Sequence, residues 1–418
     1  MASELGLEFY RFSINWPRLL PSGFANYISQ DGKNYYSNLI DGLLEKGIEP
    51  IITLYHEEMP QILQELGGWT NPLISDWFAD YARVVFTLFS DRVRTWITIN
   101  EPLLECDWYH GPGPMGTGSA GADNAGTYLC SKYILLAHAK AWRIYDEEFR
   151  TKHNGKVSLS NHLLWFKPVS PDDEQLSELT REFFTGRYSH PIYSKKGGWP
   201  PVVEEYMARF SSRHGLSRSM LPPFTPEEIQ LVRGTYDYYG VNHYTTRMVR
   251  YQKPGERNIP YVFTYVPEIG AVLDADPDWE YGYNFVLAIV PEGLREQLVW
   301  LKQKYGDIEI MITENGLSSH GHVLNDTQRI TFIRKHLEQV MLTIEEGVNV
   351  TAYTYWSLMD DFEWVDGYQA NFGLYQVNFS DPLRTRTPRS SAQYYAEIIK
   401  HHSLNISSLP NYDNHWEK

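Results

Sequence analysis

Apolar positions along the chain fall into two alternating patterns. Short runs rich in β-branched and aromatic residues recur between longer stretches whose apolar positions return every three or four residues. The short runs predict seven strands: Glu8 to Ile14, Pro50 to Tyr55, Arg94 to Ile99, Val157 to Leu163, Tyr238 to Asn242, Ile308 to Thr313 and Asn349 to Trp356. Most are apolar on both faces, as buried parallel strands are. The longer stretches predict helices such as Asn71 to Ser90, Tyr128 to Phe149, Pro291 to Lys304 and Asp326 to Glu346. Pro291 followed by Glu292 suits a helix first turn, where a missing N–H is harmless and negative charge meets the positive dipole end. Gly347 suits a helix stop. Repeated βα units of this kind close on a parallel sheet, and one α/β barrel domain accommodates residues 1–418. The regions 165–230 and 247–290, rich in Pro, Gly and polar residues, read as long loops.

Composition narrows the function. The chain is 42% hydrophobic and 21% charged, with a formal charge of −15. That balance speaks against a nucleic-acid surface, which needs clustered lysine and arginine. No apolar stretch approaches the ~20 residues of a membrane span. The 13 Trp and 30 Tyr suit an uncharged ligand with C–H faces to stack on and hydroxyls to bond. Two cysteines, Cys106 and Cys130, cannot make a zinc site, although they could pair across a loop. The N-terminus lacks the basic stretch and apolar core of an export signal. Asn325, Asn349, Asn378 and Asn405 open glycan-acceptor triplets, with Asn349 expected in a buried strand.

Reactive groups of a βα barrel gather at the C-terminal strand ends. Arg11 lies within the first run, His56-Glu57-Glu58 follow the second, and Asn100-Glu101 the third. Asn242 and Tyr244 close the fifth, Glu314-Asn315 the sixth, and Trp356 through Trp364 the seventh. Two glutamates set across one site, Glu101 and Glu314, are the minimum equipment for cleaving a glycosidic bond. The surrounding tryptophans favour a sugar over a metal ion, which wants three or more clustered oxygen ligands. The expected ligand is therefore a small-molecule or oligosaccharide glycoside, with no cofactor, metal, nucleic acid or membrane, and the oligomeric state is left open.

These residues carry a resemblance. The segments Tyr10-Arg11-Phe12-Ser13-Ile14, Thr98 to Pro102, Tyr239 to Tyr244, Pro291 to Arg295, Ile312 to Gly316 and Trp356 to Trp364, in that order, resemble glycoside hydrolase family 1, the β-glucosidase and myrosinase family, and most closely its insect members. The resemblance implies a (β/α)8 TIM barrel and a retaining double displacement, with Glu314 as nucleophile and Glu101 as acid, then base. It implies that Arg11, Asn242 and Tyr244 support the nucleophile. It further implies that His56, Asn100, Trp356, Glu363 and Trp364 hold the sugar, with Asn100 aimed at the 2-hydroxyl.

The family pattern is not matched everywhere. Family chains normally begin with a first strand and a glutamine-bearing loop, whereas this chain starts inside the following helix, in keeping with seven counted strands. Glu57 stands where the family usually has tryptophan, and Glu58 where it has aspartate. An extra carboxylate there either raises the nucleophile's pKa or pairs with a basic group. Three functions follow: a β-glycosidase, a carbohydrate-binding protein with weak or no turnover, and a myrosinase. The last needs a cation for its sulfated aglycone, and Arg247 is the candidate, since Glu101 to Ser131 contains no lysine or arginine. Family resemblance suggests an extracellular protein.

Overall fold

The computed structural model describes residues 1–110, 125–258, 263–321 and 323–405. Seven parallel strands form its centre: β1 (Phe9–Ser13), β2 (Glu49–Tyr55), β3 (Thr95–Asn100), β4 (Lys156–Pro168), β5 (Tyr239–Tyr251), β6 (Ile310–Asn315) and β7 (Val350–Tyr355). They lie side by side in chain order, in registers such as Arg11 with Ile51, Val241 with Ile312 and Ile312 with Tyr353. Each predicted strand is present. Helices Gln30–Leu44, Ile74–Phe89, Ala125–Ile144, Pro291–Tyr305 and Thr327–Glu345 connect them, and Ser390–His401 follows the last. This is an α/β barrel, nearly closed, whose edges among the described residues are β1 and β7.

Those two edges flank a cleft of about 370 Å³, lined by Tyr10, Phe12, Tyr353, Tyr355 and Tyr395. Helix Ala2–Leu5 crosses near one end, where Leu5 packs in the cluster of Tyr394 and Tyr395. Inside the barrel, Ile51, Ile97, Tyr238 and Met311 from four different walls make an apolar floor. Because the space below is filled, the strand ends above it form a basin. The larger core lies between sheet and helices, around Trp16, Phe78, Phe86 and Trp96.

Of the two expected loops, 165–230 is largely regular structure, whereas 247–290 is mostly irregular among the described residues. Residues 165–230 contain the helices Glu174–Arg181, Arg187–Tyr193, Pro201–Arg213 and Pro226–Val232, while β4 and β5 run on to Pro168 and Tyr251. Prolines that read as breakers instead open helices. Pro201 and Pro226 sit in first turns, and Thr225 accepts from the Glu228 N–H while Glu228 accepts from the Thr225 N–H. Region 247–290 holds an antiparallel extension, Ala271–Asp274 on β5. Asn349 is exposed, not buried, because it precedes β7 and only its carbonyl enters the ladder, accepting from Ile310. Asn325, Asn378 and Asn405 are exposed too. Cys106 and Cys130 form a disulfide. No helix among the described residues is long and apolar enough to cross a membrane.

Candidate active site

Register decides which side chains meet. His162 on β4 pairs with Asn242 on β5, and Asn242 pairs with Glu314 on β6, so these three residues form a row across adjacent strands. Between Ile312 and Glu314 the pairing shifts by one residue, and such a bulge re-aims the side chain that follows it. The displaced Thr313 anchors the row: its hydroxyl donates to Asn242 Oδ1 at 2.6 Å, and its carbonyl accepts from Arg11 at 2.9 Å. Gly316 follows, where a β-carbon would collide with the Trp356 carbonyl oxygen.

Glu314 is buried, and each carboxylate oxygen has its own donor. Arg11 Nη1 lies 2.5 Å from Oε1, and the Tyr244 hydroxyl donates to Oε2 at 2.7 Å. Burial pushes its pKa up to about 7, against the downward pull of Arg11 and Tyr244, while the charge of Glu101 adds to the rise. The Tyr244 phenol, buried beside these carboxylates, is held well above its ordinary range and remains a donor.

Glu101 directly follows β3, in the left-handed backbone region at φ 46°. A non-glycine residue pays about 1–3 kcal/mol for such backbone, a strain found at functional positions. Its Oε1 accepts from Asn242 Nδ2 at 2.8 Å and lies 3.0 Å from His162 Nδ1. Burial raises its pKa, but His162, Asn242 and His56 outweigh burial and leave it below the ordinary value. Asn242 was expected beside the nucleophile; the row turns its amide to Glu101 instead.

Asn100 links the two halves. Its Oδ1 accepts from Arg11 at 2.6 Å and from Asn242 at 3.0 Å, leaving Nδ2 to donate to His56 Nε2 at 3.2 Å. Burial and then the Arg11 charge depress His56 to about 3, so it is neutral and can accept. The His56 ring lies between Trp356 and Trp364, at 5.7 and 5.9 Å. Burial, then Asp361 and Glu314, push Glu363 well above the carboxylate range, and Trp356 hydrogen-bonds it. Both catalytic candidates, His56, Trp356, Glu363 and Trp364 line one pocket of about 90 Å³. The larger cleft between β1 and β7 adjoins it through His56 and Trp356 but holds neither glutamate. We therefore place the chemistry in the smaller pocket.

Glu58 is fastened by donors from Ser13 and the His56 N–H, and burial raises it to about 7. Glu57, at φ 71°, is not a main influence on Glu314, and its charge acts on Tyr55. Among the described residues no group of three or more metal-ligating side chains comes together.

His162 is the site residue that strand-end reading misses. β4 continues past the basin to Pro168, so its polar pair Asn161-His162 lies mid-strand. The signal that could have found it is that Asn161-His162 stands at the C-terminal end of the predicted run Val157 to Leu163, at the level where Asn242 and Glu314 stand on the neighbouring strands.

Comparison with known proteins now has a geometry to meet. The model of glycosyl hydrolase family 1 matches residues 1–404. The chain belongs to this family. It is 41% identical over 405 residues to Myrosinase 1 of Brevicoryne brassicae, covering 95% of this chain and 84% of that protein. It is 39% identical to the cytosolic beta-glucosidase of Cavia porcellus, covering 96% and 85%. Among solved structures, aphid myrosinase superposes with a TM-score of 0.88 at 40% identity, covering 95% of this chain and 85% of that one. This family-1 chain is thus a β-glucosidase-like glycoside hydrolase with the α/β barrel of its relatives.

Proposed function

We propose that the protein hydrolyses β-glucosides or related O-glycosides with neutral aglycones, by double displacement with retention. Glu314 attacks the anomeric carbon, and Glu101 protonates the departing oxygen, then activates water. The observation that carries this reading is the unequal treatment of two buried carboxylates: Arg11 and Tyr244 hold both oxygens of Glu314, whereas the donors to Glu101 converge on Oε1.

Glu314 is raised and Glu101 lowered, the reverse of what attack requires. Near neutrality the pair shares a proton, and substrate decides who carries it. A glycosidic oxygen beside Glu101 accepts a hydrogen bond only from the acid form, while developing positive charge at the anomeric carbon favours the anion at Glu314. Glycosylating Glu314 then removes its charge, which lets Glu101 ionise and act as base.

His56, Glu363, Trp356 and Trp364 hold the sugar in this reading. Asn100 is committed to Arg11, Asn242 and His56, and its work on the 2-hydroxyl is through orienting His56 unless substrate displaces that bond. Leu104, Trp108, Phe263, Val286 and Leu287 make the outer wall, which suits an aryl or alkyl aglycone. Release of 4-nitrophenol from its β-glucoside tests the reading. Hydrolysis by the native chain and none by Glu314→Gln is expected; equal rates would refute the assignment, and saturable glucoside binding without product would replace hydrolysis by binding.

A further inference from the structure

We infer that His162 is the positioning residue of the acid/base group, holding the proton of Glu101 on Oε2. The inference rests on Glu101 being the acid/base. Its geometry begins with Asn242, whose Oδ1 is occupied by the Thr313 hydroxyl, so that Nδ2 must be what faces Glu101 Oε1. With His162 Nδ1 donating to the same oxygen at 3.0 Å, both in-plane acceptor positions of Oε1 are filled. A carboxyl proton then has its place on Oε2.

The ring is held to this task. His162 is buried, stacked on Tyr244 at 6.1 Å and met edge-on by Phe263 at 6.4 Å. Its Nε2 has no hydrogen-bond partner among the described residues, and the residue lines the catalytic pocket. The Nδ1 bond to Glu101 is thus the one polar contact that fixes the ring among the described residues.

Other titratable groups face the pair, but none among the described residues hydrogen-bonds the Glu101 carboxylate. His56, from the end of β2, is depressed to about 3 and carries no charge near neutrality. His243 on β5 is depressed to about 4 and gives its Nδ1 to Gln297. Tyr244 on β5 is a protonated phenol committed to Glu314. Glu314 on β6 and Glu363 beyond β7 are anionic or neutral and cannot stabilise a second anion. The lowered pKa of Glu101, with His162 the largest lowering influence, agrees in direction.

The test is the pH dependence of kcat/KM on an alkyl β-glucoside, which needs the acid, beside a 2,4-dinitrophenyl β-glucoside, which does not. Glu101 must be protonated for the alkyl substrate, so its pKa sets an alkaline limb. Removing a hydrogen bond that favours the carboxylate raises its pKa, by about one unit for a bond to a charged group. His162→Phe should move the alkaline limb upward by about that much, and His162→Gln by less. Gln, which keeps an N–H donor, should retain more of the plateau rate than Phe. Limbs that stay in place while rates fall at every pH would mean a structural role and overturn the inference. Glu101→Gln supplies the separate check: if it keeps native alkyl-glucoside activity, the acid/base assignment itself fails. Where a variant does not fold, ¹⁵N-histidine spectra of the native protein decide, since the inference requires Nδ1 to stay protonated across the limb and a bare Nδ1 overturns it.

Discussion

Arg11 and Glu314 stand 303 positions apart in the chain and 2.5 Å apart in space, each with only 4% of its side chain exposed. The contact spans the cleft side of the barrel, because β1 is an edge strand and Glu314 comes from the sixth. A cation in that place opposes the burial that pushes Glu314 up to about 7. Arg11→Met removes the opposition, so the pKa rises further and the nucleophile is protonated at neutral pH. The acid limb of kcat/KM for an aryl glucoside should move upward by at least about one unit, with roughly a tenfold loss at neutrality per unit. An unmoved limb would show that Arg11 does not govern the charge of Glu314.

Glu105 gives a prediction about stability. It is buried, accepts from the Tyr55 hydroxyl at 3.0 Å, and burial raises it from 4.5 to about 7. The folded state thus binds a proton that the unfolded chain releases at lower pH, so stability is fullest below about 4.5 and declines as pH rises through 7. A shift of this size corresponds to roughly 3 kcal/mol over that window. Glu105→Gln keeps an acceptor for Tyr55 and cannot ionise. The difference in denaturant stability between variant and native protein should grow from pH 5 to pH 8 in favour of the variant, and a constant difference would contradict the burial of a titrating carboxyl.

Much of this was legible in the chain, for physical reasons that also explain the rest. Buried parallel strands must be apolar on both faces, which marked all seven and made Arg11 stand out inside the first, and strand ends must be polar to do chemistry, which marked His56, Glu101, Tyr244 and Glu314. Lateral register is invisible to such reasoning. Asn242 could be placed on β5 but not turned toward Glu101, because that depends on the bulge at Thr313. His162 was hidden by a strand that outruns the basin. The helices of 165–230 were hidden by prolines whose role depends on whether a helix follows or precedes them.

The Cys106–Cys130 bridge ties the turn carrying Glu105, Asp107 and Trp108 to helix Ala125–Ile144. Closing a loop with a sequence separation of 24 is worth about 3 kcal/mol in the chain-entropy account. The double variant Cys106→Ser, Cys130→Ser should melt at lower temperature, and a reducing agent should lower the native melting point toward the same value. Trp108 walls the outer pocket, so KM for aryl glucosides should rise more than kcat falls. Equal melting points would mean that the bridge restrains nothing in the unfolded chain.

The neutral-aglycone proposal sets this protein apart from a hydrolase of anionic glucosides, despite its 41% sequence identity to Myrosinase 1 of Brevicoryne brassicae. Glu101, Glu314, Glu363 and Asp366 line the pocket, and no lysine or arginine is among its described lining residues. The stretches 111–124 and 259–262 contain no lysine or arginine in sequence either. Arg247, the expected sulfate partner, is buried, sits over Phe263 at 5.8 Å and donates to the Val286 carbonyl. Bringing a sulfate beside the negative charge that Glu101 and Glu314 share, in a part-buried space without a lining cation among the described residues, places like charges together at a cost of several kcal/mol, and each 1.4 kcal/mol is tenfold. Glucose release from a glucosinolate should therefore run at least about a hundredfold below that from a neutral aryl glucoside, in kcat/KM at low salt, and the gap should narrow as salt screens the repulsion. Comparable rates on the two substrates would require a cation in the pocket and overturn the neutral-aglycone assignment.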